Sequence, residues 1–95
     1  MYNAGQSTQP VQPAQPRITY FYKGGCPYSR MTRQLILSKL GGSARIEPVC
    51  VDADPQGYKT QLAWQTGKDV QTFPQIFYNN RHVGGYTDLA RMLSR

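Results

Sequence analysis

The chemically suggestive part of this chain is the run Lys23-Gly24-Gly25-Cys26-Pro27-Tyr28-Ser29. A cysteine sulfur is a useful nucleophile only as the thiolate. Pro27 suits the first turn of a helix, where its missing N–H costs nothing. That places Cys26 at a helix start, where free backbone N–H groups and the helix dipole both favour negative charge. Lys23 is a nearby cation acting in the same direction, and Arg30 and Arg33 on the following turns add weaker positive potential. Gly24 and Gly25 argue for an open loop in front of the thiol rather than a buried sulfur. Cys50 is the opposite case. Flanked by Val49 and Val51, it reads as inert core in a central strand; a distant resolving thiol is the alternative if that strand is misplaced. His82 has no acidic partner in the sequence and, with Tyr78 and Tyr86, reads as structural.

These residues need a scaffold, and the hydrophobic pattern supplies one. Ile18–Tyr22 is rich in β-branched and aromatic residues and predicts a buried strand. A helix is expected from about 27 to 40, with Met31, Leu35, Ile36 and Leu40 inward, stopped by Gly41-Gly42. A second strand falls near Arg45–Val51. A short helix runs from Tyr58 to about Gln65, with Leu62 inside and Gly67 as its cap. Pro74 precedes a third strand, Gln75–Tyr78. Asn79-Asn80 turns the chain into Arg81–Val83 as a hairpin. Thr87–Leu93 is a last helix, with Leu89 on its apolar side and Thr87 available as an N-cap. The order predicts an α/β fold: a four-stranded mixed β-sheet with about three flanking helices, begun by a right-handed βαβ unit.

The first sixteen residues are different in kind. They carry no charged side chain, and Gln-Pro recurs at 9–10, 12–13 and 15–16. Proline at this period suits solvated polyproline II rather than helix or sheet. Residues 1–16 are therefore expected to be a flexible Gln/Pro-rich tail, or a docking arm, and residues 17–95 the folded domain. At 95 residues the chain holds one domain with a thin core. Two cysteines and one histidine rule out a multi-disulfide scaffold and a four-residue Cys/His zinc site. No apolar run reaches the roughly 20 residues needed to cross a bilayer. The N-terminus has no basic stretch followed by an apolar one, so no secretory signal is expected. The net charge is +6, but its cations are spread from Arg17 to Arg95 without a dense cluster, which argues against nucleic acid as the main partner.

Three segments also carry a resemblance. Cys26-Pro27-Tyr28-Ser29 resembles the Cys-Pro-Tyr-Cys active site of glutaredoxins. Residues 67–77, with Thr72-Phe73-Pro74, resemble the family's Thr-Val-Pro loop and the strand after it. Residues 81–89, with Gly84-Gly85, resemble its Gly-Gly motif and final helix start. The last two are especially similar to the bacterial glutaredoxin 1 type. The resemblance covers about residues 17–95. It implies the thioredoxin/glutaredoxin-like fold and a thiol oxidoreductase with glutathione as co-substrate. It makes Cys26 catalytic and Pro74 a cis-proline facing it. The cysteinyl part of glutathione then pairs with the Phe73 backbone, beside Thr72 and Tyr28. The glycyl carboxylate meets Lys23 and Lys59. The γ-glutamyl end meets Thr87 and Asp88, with Gly84 and Gly85 keeping the rim low. Helix-start donors suit a carboxylate as they suit phosphate.

Ser29 departs from the family pattern. Serine forms no disulfide, so a protein mixed disulfide has no local resolving thiol here. A monothiol route needs only Cys26 and a second glutathione. The expected partners are then glutathione and glutathionylated or disulfide-containing proteins, with the chain acting as a monomer in a reducing cytoplasm. Three alternatives stand beside this reading. Ser29 replaces the resolving cysteine of a dithiol disulfide reductase; the chain ligates a [2Fe–2S] cluster with glutathione, although Pro27 stiffens the loop against it; or it is a structural protein keeping only the fold.

Overall fold

The computed structural model describes residues 15–94. Most of the expected tail, residues 1–14, lies outside them. Pro16 is described, and its carbonyl accepts a hydrogen bond from Arg45 N at 2.8 Å.

The chain runs β1 (Arg17–Tyr22), α1 (Pro27–Lys39), β2 (Arg45–Cys50), α2 (Pro55–Thr66), β3 (Gln75–Tyr78), β4 (Arg81–Gly84) and α3 (Tyr86–Leu93), with single 3₁₀ turns at Gly41–Ser43 and Val51–Ala53. The four strands form one sheet in the order β2-β1-β3-β4. β1 pairs parallel with β2, Tyr20 opposite Pro48 and Tyr22 opposite Cys50. β1–β3 and β3–β4 are antiparallel, and a register shift falls between Ile76 and Phe77. Asn79 and Asn80 make the hairpin turn at φ 51° and 68°, a conformation that asparagine tolerates.

Successive side chains of a strand point to opposite faces, and β1 shows the consequence. Ile18 and Tyr20 join Ile36, Ile76 and Leu89 in a core beneath α1 and α3. Phe21 joins Val51, Leu62, Val70 and Phe77 in a second core beneath α2. Each fully buried Ile or Leu contributes roughly 1.5–3 kcal/mol.

Four details differ from the sequence reading. Met31 is 40% exposed, because α1 buries the stripe Ser29, Thr32 and Ile36 and leaves Met31 on its flank. β2 is an edge strand rather than a central one and ends at Cys50, which is only partly buried. α2 begins at Pro55, because the Asp54 side chain caps it by accepting from Gly57 N at 3.1 Å. The N-cap of α3 is Gly85 rather than Thr87, with Asp88 Oδ2 accepting from Gly85 N at 3.1 Å. The expected cap at Gly67 is present, left-handed at φ 76°.

Candidate active site

Cys26 is the N-cap residue of α1, in extended backbone conformation, with Pro27 next to it in the first turn. The loop before it closes through Cys26 N–H donating to Lys23 O at 3.3 Å. It is held across the molecule by Gly24 N–H, which donates to Asp52 Oδ2 at 2.9 Å. Asp52 follows β2, so the same strand that pairs with β1 also fixes the cysteine loop.

Burial works against ionising the Cys26 thiol, but it is outweighed. The Ser29 N–H, the Ser29 hydroxyl, the Tyr28 N–H and the Lys23 charge all favour the thiolate, and the pKa is lowered below the ordinary thiol value. Ser29 is only 6% exposed. Its Oγ makes no well-formed hydrogen bond among the described residues, so its influence on Cys26 is the looser approach of an O–H to an ionised sulfur.

The Phe73–Pro74 peptide is cis, and Cys26 Sγ lies 3.8 Å from Phe73 O. Two clefts meet at Phe73. One, of about 340 Å³, is lined by Tyr28, Thr72, Phe73, Pro74, Gly85, Tyr86, Thr87 and Asp88. The other, of about 180 Å³, is lined by Lys23, Lys59, Phe73, Val51, Pro55, Val70 and Gln71. Of the site residues singled out in the sequence, all but Cys26 and Gly84 line these two clefts, with Phe73 common to both and Cys26 reaching them through its contact with the Phe73 carbonyl. Gly84 lies just before Gly85. A Cβ there would collide with the Asp88 carboxylate, and its φ of 126° is one that L side chains rarely adopt. A Cβ on Gly85 would come within 3.6 Å of Pro74 O, so the Gly84-Gly85 segment lets α3 approach the Pro74 loop closely.

The sequence reading did not anticipate some contributors. Tyr86 packs beside Tyr28, ring centroids 6.0 Å apart, and the two form a lip of the larger cleft. Gln71 lines the smaller one. Buried Gln75 donates to Thr72 O at 2.9 Å, and its Oε1 lies 2.7 Å from His82 Nε2. That oxygen can only accept, so this ring nitrogen carries a proton. Burial lowers the His82 pKa, Lys68 adds to the effect, and Asp88 opposes it. His82 thus braces the loop that carries Phe73. No sequence pattern links 72, 75 and 82; only the β3–β4 hairpin brings them together.

An activated thiol at a helix start, facing a cis-proline loop on this mixed sheet, is the organisation of thiol–disulfide oxidoreductases with the thioredoxin fold. Comparison with known proteins narrows that class. The glutaredoxin family model matches residues 18–83. Glutaredoxin 1 of Escherichia coli K12 is 37% identical over 71 residues, 74% of this chain and 84% of that protein. A Neisseria meningitidis glutaredoxin is 33% identical over 75 residues, 79% of this chain and 82% of that one. The structure of reduced Escherichia coli glutaredoxin superposes with a TM-score of 0.68 at 34% identity, covering 82% of this chain and 93% of that one. The chain belongs to the glutaredoxin family. It is an oxidoreductase of a family that uses glutathione as reductant and acts on disulfide-containing substrates. No helix among the described residues is long and apolar enough to cross a membrane.

Proposed function

We propose that this glutaredoxin works by a monothiol mechanism, removing glutathione from glutathionylated proteins and small mixed disulfides. The observation that carries the reading is Cys26 at the start of α1, its thiol pKa lowered, with Ser29 and not a second thiol one turn on. The Cys26 thiolate attacks the glutathione sulfur of the substrate. The Cys26–glutathione disulfide forms, the substrate disulfide breaks, and the protein leaves as a thiolate. A second glutathione thiolate then attacks the bound glutathione sulfur. Oxidised glutathione departs and the Cys26 thiolate returns, so electrons balance without another cofactor.

The two clefts suit an extended peptide with an acid at each end. In this reading the glutathione cysteinyl group lies along Phe73, opposite Cys26, between Thr72 and Tyr28. The glycyl carboxylate lies toward Lys23 and Lys59. The γ-glutamyl carboxylate lies toward the first turn of α3 at Thr87, and the ammonium toward Asp88. Asp88 also caps α3 and lies 3.5 Å from Arg91 Nη1, so the ammonium adds a partner to a carboxylate already held in place. A reducing cytoplasm supplies the glutathione, and a monomer suffices.

The test is glutathione-dependent reduction of a small glutathionylated substrate. Cys26→Ser should abolish it and Cys50→Ser should leave it. Ser29→Cys should add reduction of protein disulfides. Activity surviving in Cys26→Ser would refute catalysis through this thiol, and no gain from Ser29→Cys would refute the role assigned to the serine.

A further inference from the structure

A third cleft opens beside Cys26 and shares Lys23 with the smaller of the two that meet at Phe73. It lies where α1 crosses the ends of β1 and β2, and has a volume of about 250 Å³. Lys23, Arg30 and Arg33 line it together with Tyr22, Pro48 and the buried, unpartnered Ser29. Arg30 and Arg33 are three residues apart and so share one face of α1. The chain's five carboxylates are all engaged elsewhere. Glu47 pairs with Arg17 and Arg45, Asp52 accepts from Gly24, Asp54 caps α2, Asp69 accepts from Gln71, and Asp88 caps α3. No carboxylate lines this cleft, and neither arginine makes an ion pair among the described residues.

We propose that this cleft is a substrate subsite: Arg30 and Arg33 hold an acidic side chain that flanks the glutathionylated cysteine of the protein target. The inference rests on the glutathione-dependent reading of the same thiol. The cleft's size argues for a side chain rather than a whole molecule, since pockets that enclose small ligands run to about 300–1,000 Å³. Its three cations argue for an anion, and arginine is suited to gripping a carboxylate with two parallel hydrogen bonds. The cleft also borders the reacting sulfur itself, so a target held there by its side chain places its disulfide against Cys26. The two arginines are specificity-determining residues; the electrons still pass only through Cys26 and glutathione.

The experiment uses short peptides glutathionylated at one cysteine and alike except for acidic, neutral or basic flanking residues. At low ionic strength kcat/KM should favour the acidic peptide over the neutral one by roughly three- to tenfold, the scale of partly exposed charge pairs. In the Arg30→Gln/Arg33→Gln protein most of that preference should be lost, whereas a Lys39→Gln/Arg81→Gln protein of the same net charge, altered away from the cleft, should keep it. Because both peptides are read in the same protein, the ratio is insensitive to folding and to the general reactivity of the thiol. No acidic preference in the parent protein, or the same ratio in both double variants, would overturn the proposal. So would a raised KM for glutathione at an unchanged peptide ratio, which would give the cleft to the reductant instead. Loss confined to the ratio leaves the deglutathionylation reading intact; no activity on any peptide would overturn both.

Discussion

At the scale of single residues, the chemistry depends on how three nearby residues treat one sulfur. Ser29 contributes its N–H and its hydroxyl, Tyr28 its N–H, and Lys23 its charge, together overcoming burial. The folded-state pKa is depressed, so the thiolate forms at lower pH than it does on an ordinary thiol. By the same linkage, the ionised sulfur stabilises the fold above the unfolded thiol pKa, and this contribution is lost as pH falls through the folded one. Lys23→Gln should shift the rise of activity to higher pH and slow the reaction roughly two- to fivefold near neutrality, read from a pH–rate profile. Much of this was legible in the sequence, because Cys26, Pro27 and Lys23 are close in the chain. The buried orientation of Ser29 was not. It depends on which stripe of α1 faces the sheet, and the exposure of Met31 shows that composition alone chose the stripe imperfectly.

At the scale of elements, loops at the ends of strands gather the site and short polar links hold them. Asp52 after β2 ties the cysteine loop at Gly24, and Gln75 and His82 on the β3–β4 hairpin brace the loop at Thr72. α3 reaches that loop because Gly84 and Gly85 lack side chains. Gly84→Ala should therefore destabilise the fold by about 1–3 kcal/mol, from a disfavoured backbone angle and a collision with the Asp88 cap, measured as a lowered denaturant midpoint. Strand and helix positions followed from periodicity, and the tight turn at Asn79-Asn80 was readable from residue type. What was not readable was pairing order. Cys50 looks central in sequence because its neighbours are valines, yet β2 is at the sheet's edge and Cys50 is not fully buried. Cap chemistry was likewise ambiguous: Asp54-Pro55 can close a strand or open a helix, and the Gly57 N–H at Asp54 decides for the helix.

At the scale of the whole molecule, eleven basic residues against five acidic ones surround a reaction whose substrates are anionic. Glutathione and an acidic target are both drawn toward that charge, so association should slow steadily as salt is added. A several-fold fall in kcat/KM across the range from low to physiological ionic strength is expected, while the turnover rate at saturation changes little. The sign of that field was legible from composition; its opening beside Cys26 required the packing of α1 on the sheet. Everything the fold does for catalysis converges on keeping one sulfur ionised and within reach of substrate. That is measured most directly by the rate of thiol alkylation against pH in a Cys50→Ser protein, where only Cys26 reacts. A midpoint clearly below that of a free cysteine, near 8.5, moving upward in Lys23→Gln, is the predicted result. A midpoint at or above the free value, or a sulfur that fails to react in the folded protein, would contradict the account.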